Sequence, residues 1–294
     1  MFPNYNNIMD IYFENNNIVD LINNDTSFLN FFTILDKIYE KSKKVLYIVQ
    51  SKINNQKYTI KAKLKDDNEE EIIILNKIND SRNNNIVNCI QIIDKEIFYY
   101  FINDYYEGIN LNEYTNNNTL NEKECIKIFK QIVEGIKYLH DKNIIHCDLK
   151  LENIIINGQK EIKIIDLELA KICTEEEGFT SDIIFGTIEY LSPESYNLGI
   201  YSKKSDIWSL GVILLFLLLI KKNTLEIDKK NICHLNSGCN LDRYNEFKNY
   251  CLQFETEMYG IHEKIISLLK KMLVFEDYNR INIDTIQEEL KKID

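Results

Sequence analysis

A chain of 294 residues can bury a large core, and its length fits one large two-lobed domain or two small ones. The net charge of -11 excludes a general nucleic-acid-binding surface, which needs an excess of Lys and Arg, and suits a basic protein substrate better. Seven scattered cysteines without a CxxC pair indicate reduced thiols in a cytoplasmic protein rather than a disulfide framework.

The opening MFPNYNNIMD has neither a basic stretch nor an apolar core, so no signal peptide is expected. Residues 1–32 read as an extension without an assignable role, and Asn15 to Asn17, Asn83 to Asn85 and Asn116 to Asn118 read as solvated loops. Segments Thr33 to Tyr39, Val45 to Val49 and Tyr58 to Leu64 carry β-branched and aromatic residues in the manner of half-buried antiparallel strands, which predicts a five-stranded small lobe. Alternation along the third segment places Lys57, Thr59, Lys61, Lys63 and Lys65 on one face and does not choose among them.

From Thr119 the sequence TLNE predicts a capping box. Ile126, Phe129, Ile132, Val133, Ile136 and Leu139 then fall on one face of a long helix that ends near His140. Two short apolar strands follow, Ile154 to Ile156 and Ile162 to Ile165, joined by a segment that opens with the hairpin signal Asn157-Gly158. An antiparallel hairpin there brings Asn153 and Asp166 to its open end. The run Ile207 to Ile220 is 14 residues long, too short to cross a bilayer, and predicts a helix buried in a core. Cys233, His234, Cys239 and Cys251 are spaced too irregularly to predict a zinc site.

Asn153 and Asp166, with His146, Asp148 and Lys150 just upstream, form a set suited to a hard divalent cation and phosphate. Taken singly each is weak, because Asp and Asn are common in loops and a lone histidine is more often packed in a core. Together HCDLKLEN, from His146 to Asn153, resembles the catalytic loop H-R-D-L-K-x-x-N of the eukaryotic-type protein kinase family. Asp166 in IIDLE stands where that family has the metal-binding Asp of D-F-G. GTIEYLSPE, from Gly186 to Glu194, resembles the end of an activation segment, SDIWSLGVILL from Ser205 resembles the central helix, and Arg280 stands where the family has an arginine that pairs with Glu194.

The resemblance implies an α+β, two-lobed fold, with a small antiparallel β lobe at about 33–103 and a larger, mainly helical lobe at about 107–294. It implies a serine/threonine kinase that uses ATP and Mg²⁺ on protein hydroxyls, soluble and without a membrane or nucleic-acid partner. Its roles pass to Asp148 as the group that accepts or orients the substrate hydroxyl, to Lys150 on the transferring phosphoryl, and to Asn153 and Asp166 on the metal. KYTIK resembles the strand that carries the phosphate-binding lysine, which selects Lys61, with Glu71 as its partner and Glu69 and Glu70 as a solvated helix start. FINDYYEGINL resembles the hinge, with Asn103 guarding the adenine pocket and Asp104 to Tyr106 offering backbone hydrogen bonds. Lys150 and the Gly-Thr-x-x-Tyr pattern resemble serine/threonine rather than tyrosine kinases.

Four departures stand out. No glycine precedes Gly108, and Tyr39, Lys41 and Lys44 occupy the positions of the family's glycine-rich loop. Lys41, Lys43 and Lys44 either contact phosphate in its place or form a solvated basic turn. Glu168 replaces the glycine of D-F-G, which adds a carboxylate and removes backbone freedom, and Leu167 replaces its phenylalanine. Cys147 replaces the arginine that binds a phosphorylated activation loop. With Glu175, Glu176 and Glu177 beside Thr174, Thr180 and Ser181, this predicts a loop that phosphorylation does not switch on. These losses leave a nucleotide-binding pseudokinase scaffold as the alternative. Small-molecule kinases share the H-x-D logic and lack the Ser-Pro-Glu element.

Overall fold

The structure is a computed structural model that describes residues 18–41, 43–65, 69–175, 178–220 and 260–293. It divides into two compact units, Met1–Ile72 with Asn88–Tyr105, and Ile73–Val87 with Tyr106–Asp294.

The small unit opens with two short helices, α1 (Ile18–Asn23) and α2 (Thr26–Phe31), that run directly into β1 (Phe32–Lys41). With β2 (Lys44–Ser51) and β3 (Lys57–Leu64), then α3 (Glu70–Asn79), β4 (Cys89–Asp94) and β5 (Phe98–Asp104), the chain builds an antiparallel sheet of order β1-β2-β3-β5-β4. The period-two pattern read from the sequence is the pattern of burial: Val45, Tyr47 and Val49 of β2 and Ile60, Ala62 and Leu64 of β3 point into one core. The stretch 18–31 enters that core through Val19, Ile22, Phe28 and Leu29. Ile22 and Phe28 are buried in it, and the Phe28 ring stacks on Tyr100 with centroids 4.8 Å apart. Asp25 caps α2 by accepting the Phe28 N–H at 3.1 Å, and its carboxylate meets Lys95 at 3.0 Å and the Tyr100 hydroxyl at 3.2 Å. Sequence reading left this stretch unassigned because its partners lie some 70 residues away.

The large unit continues with β6 (Ile109–Asn110), α4 (Leu111–Asn117), α5 (Glu122–Asp141), β7 (Ile144–Ile145), β8 (Ile154–Ile156) and β9 (Ile162–Ile164). β10 (Lys171–Ile172), β11 (Phe179–Thr180), α6 (Pro193–Leu198), β12 (Ile200–Tyr201), α7 (Lys203–Ile220), α8 (Glu263–Met272) and α9 (Ile283–Lys291) complete it. All six apolar positions predicted for the long helix are buried on α5. Its capping box, however, sits two residues beyond Thr119: Asn121 accepts the Glu124 N–H at 3.0 Å and Glu124 accepts the Asn121 N–H at 2.9 Å. Leu120 is buried, so the apolar residue preceding the cap fixes where the helix begins.

In the β8–β9 hairpin the left-handed residue is Lys160, φ 60°, rather than Gly158, because the loop closes over five residues with Asn157 N–H on Glu161 C=O. α7 is buried along its apolar length, from Ile207 to Leu219. No helix among the described residues is long and apolar enough to cross a membrane. Cys233, His234, Cys239 and Cys251 lie outside the described residues, as do Asn15 to Asn17, Glu176 and Glu177.

Candidate active site

In the small unit, β3 turns Lys61 onto the face that meets α3. The Lys61 ammonium pairs with Glu71 Oε1, and both groups are buried. Glu69, just before the helix, is exposed and accepts the Tyr99 hydroxyl at 2.9 Å, and Glu70 is half-buried, so of the three consecutive glutamates only Glu71 is fully buried. Cys89 lies close enough to feel both partners electrostatically, and burial pushes its thiol up to about 11. Asn103, next to last in β5, stands opposite Thr59, and the N–H of Asp104, which ends the strand, donates to the Asn88 carbonyl at 3.1 Å. Chain passage from one unit to the other falls between Tyr105 and Tyr106.

The β1–β2 hairpin forms without glycine, with Lys41 opposite Lys44 across a two-residue connection. The ammonium groups of Lys41 and Lys44 lie 6.0 and 5.4 Å from the centroid of the Tyr39 ring, so these residues gather at the loop as a cation–aromatic cluster.

In the large unit, the segment after β7 is held by one buried carboxylate. Asp206, 1% exposed at the start of α7, accepts the N–H of His146 at 2.9 Å and of Cys147 at 3.1 Å, and bonds His140 Nε2 at 2.8 Å. Those bonds support a left-handed backbone at Cys147, φ 64°, which costs a residue with a Cβ about 1–2 kcal/mol. Neither Asp206 nor His140 was singled out from the sequence. The available signal was an acid opening a long apolar run, since a buried carboxylate must have partners. His146 is fully buried, and its Nδ1 accepts the Asp148 N–H at 3.3 Å, which makes it a packing residue of the loop.

Beyond that turn the candidate side chains interlock. Asp148 Oδ1 accepts the Thr187 hydroxyl at 2.7 Å, while Oδ2 lies 2.9 Å from Lys150 Nζ and accepts Asn153 Nδ2 at 3.2 Å. Lys150 also donates to Thr187 Oγ1 at 2.7 Å, so one hydroxyl joins acid and lysine. Thr187 entered the sequence reading only as part of a class pattern, and its bridging position depends on Gly186. Gly186 has φ 98°, and a Cβ there would lie 2.8 Å from the Cys147 carbonyl. Just beyond it, burial raises the Glu189 carboxyl above its ordinary range, and the charge of Glu152 adds to the effect.

The hairpin register sets the remaining pair. Ile154 faces Ile164, and the Ile165 N–H bonds the Asn153 carbonyl at 2.8 Å, which brings Asn153 and Asp166 to the same end. Asn153 commits its amide nitrogen to Asp148, leaving Oδ1 as its acceptor side. An amide oxygen and a carboxylate fit a hard divalent cation that keeps water and phosphate oxygens as its other ligands. Asp166 itself carries the positive φ, 65°, and Glu168 does not. The glycine missing at Glu168 is therefore no backbone obstacle in this conformation.

Arg280, 1% exposed, forms a two-pronged pair with Glu194 at 2.7 and 3.0 Å and donates to the Val274 carbonyl. The activation segment meanwhile lies on an apolar cluster of Ile145, Cys147, Cys173, Leu191, Tyr196 and Tyr201.

The family model for the protein kinase domain matches residues 37–290. The serine/threonine-protein kinase PrkC of Bacillus subtilis is 37% identical over 135 residues, 46% of this chain and 21% of that protein. The serine/threonine-protein kinase SKM1 of Saccharomyces cerevisiae is 32% identical over 220 residues, 66% of this chain and 33% of that protein. The chain thus spans between about a fifth and a third of the length of these curated relatives.

Proposed function

This chain belongs to the eukaryotic-type protein kinase family, and from that premise we propose that it is catalytically active, transferring the γ-phosphoryl group of ATP to serine or threonine hydroxyls of other proteins. The observation that carries the reading is the set of bonds converging on Asp148 from Lys150, Thr187 and Asn153. A loop released from catalysis has no physical need to aim three donors at one largely buried carboxylate.

In this reading Asp148 accepts or orients the proton of the substrate hydroxyl, and Lys150 places positive charge beside the transferring phosphoryl. Thr187 holds acid and lysine at a fixed spacing. Lys61, kept in place by Glu71, contacts the α- and β-phosphates of ATP, and backbone groups of Asp104 and Tyr106 meet the adenine. Mg²⁺, which the family generally uses, would be held by Asn153 and Asp166 and would neutralise phosphate charge. The kinase domain runs from about residue 33 to 294, and residues 18–31 complete the core of its small lobe. The acidic balance of the chain favours basic protein substrates.

Asp148→Asn keeps the shape and removes the charge. Phosphate transfer to a basic protein is expected to fall at least about a hundredfold while ATP binding, read by thermal shift, persists. Unchanged turnover removes Asp148 from the mechanism. The scaffold reading draws on the glycine-free β1–β2 hairpin, where side chains stand at the positions that would let backbone amides approach phosphate. Nucleotide-dependent thermal shift in a wild-type protein that transfers no phosphate would establish it.

A further inference from the structure

Alternation along β3 places Lys61 and Lys63 on the same face, and in the structure both reach one carboxylate. Lys61 pairs with Glu71 Oε1, and Lys63 Nζ lies 3.9 Å from Oε2, an oxygen with no hydrogen-bond partner of its own. All three residues are at least nine-tenths buried: Lys61 is 7%, Lys63 9% and Glu71 5% exposed. The opposing strand closes the face with aromatic rings, Phe101 across from Lys61 and Tyr99 across from Lys63. A carboxylate with one oxygen on each lysine is a bridge, and removing either end leaves the other intact.

We propose that Lys63 is a positioning residue for phosphate binding: it holds Glu71 through Oε2, so that Glu71 stays anchored on β3 while the Lys61 ammonium is shared between Oε1 and the phosphates of ATP. The argument rests on the kinase reading for the role of Lys61 and on this structure for the role of Lys63. A single lysine must choose between carboxylate and phosphate or divide itself between them. With two lysines the carboxylate keeps a cation in either case, and the ion pair is shielded from water by its burial.

The consequence is a coupling that runs through Glu71. Lys63→Met is expected to raise the KM for ATP, and the dissociation constant for ADP, about tenfold, the size of one charge-assisted contact. The turnover number is expected to stay within about threefold, because Lys63 touches no reacting atom. Lys63→Arg, which keeps the charge, should bring the KM back to within about threefold of wild type. In a Glu71→Gln background the same Lys63→Met change should alter nucleotide affinity less than about twofold, since the bridge is already cut.

A KM within twofold of wild type in Lys63→Met, or an equal loss with and without Glu71, overturns the proposal. Should Lys63→Met fail to fold, Lys63→Gln carries the same two outcomes. Wild-type protein that binds ADP but transfers no phosphate overturns the active-kinase reading alone, and the ADP affinities then decide the bridge. Wild-type protein that binds no nucleotide overturns both.

Discussion

Asp206 contributes no atom to the reaction proposed here, yet three groups depend on its two oxygens: the N–H groups of His146 and Cys147 in the loop after β7, and the His140 ring on α5. Asp206→Asn keeps the volume but offers one acceptor oxygen where the loop uses two, and turns an amide donor toward a backbone N–H. Unfolding in urea is expected to show a loss on the order of 3 kcal/mol, since buried donors left without acceptors are expensive. Turnover should fall as well, because Asp148 follows the left-handed Cys147 directly and inherits its placement. An unaltered urea midpoint would mean that the loop holds its shape without this anchor.

Packing carries the argument for the activation segment. The Tyr201 ring stacks on Phe185 at 4.1 Å and on Phe179 at 5.5 Å, and its hydroxyl both donates to the Phe185 carbonyl and accepts the Phe185 N–H, each at 2.8 Å. β11 pairs with β12, and Cys147 joins the same apolar cluster. The Ser181 hydroxyl already donates locally to the Ile183 carbonyl at 2.8 Å. A segment held by ring stacking and apolar burial needs no phosphate to order it. Phosphatase-treated protein and the Thr180→Ala, Ser181→Ala double mutant are both expected to phosphorylate a peptide at close to the wild-type rate. Loss of most activity in both would show that a phosphate is required and that a basic residue elsewhere receives it.

Across the whole chain, stability should depend on alkaline pH through groups buried in the small unit. Burial moves the Cys89 thiol from 9.0 to about 11 and raises the Tyr100 hydroxyl, where the Asp25 charge adds to the effect. Below pH 9.0 the thiol keeps its proton in both folded and unfolded chains and contributes no pH dependence. Between 9.0 and about 11 the unfolded chain releases the proton and the folded chain retains it, so stability falls as pH rises. From this thiol alone the loss across that window is on the order of 2 kcal/mol. Urea unfolding at pH 8 and pH 10.5 measures it, and Cys89→Ala should flatten the slope. An equal slope in the mutant would assign the effect to the tyrosines.

Much of this protein is legible in its sequence because chemistry and periodicity restrict residue type. Family motifs restrict residue type along the chain, so His146 to Asn153, Asp166 and Glu194 stand out in the sequence by itself. Alternation likewise exposes β2 and β3, and a 3.6-residue period exposes α5, because each pattern reports one face against one core. What the sequence left open depends on contacts between distant residues. Five residues shared one face in the sequence reading of β3, and only the folded position of Glu71 shows that two of them, Lys61 and Lys63, meet the same carboxylate. Asp206 acquires its role from a loop 60 residues upstream, and α1 and α2 acquire theirs from Tyr100 and Lys95. The capping box settled at Asn121 because Leu120 found a core to enter, and Glu168 is tolerated because the left-handed turn falls on Asp166. Local composition determines which residues can do chemistry and which face is apolar. Burial and hydrogen-bond partners are properties of the folded neighbourhood, so only the tertiary structure decided which lysines meet Glu71, which acid holds the His146–Cys147 turn and which residues before β1 enter the small unit's core.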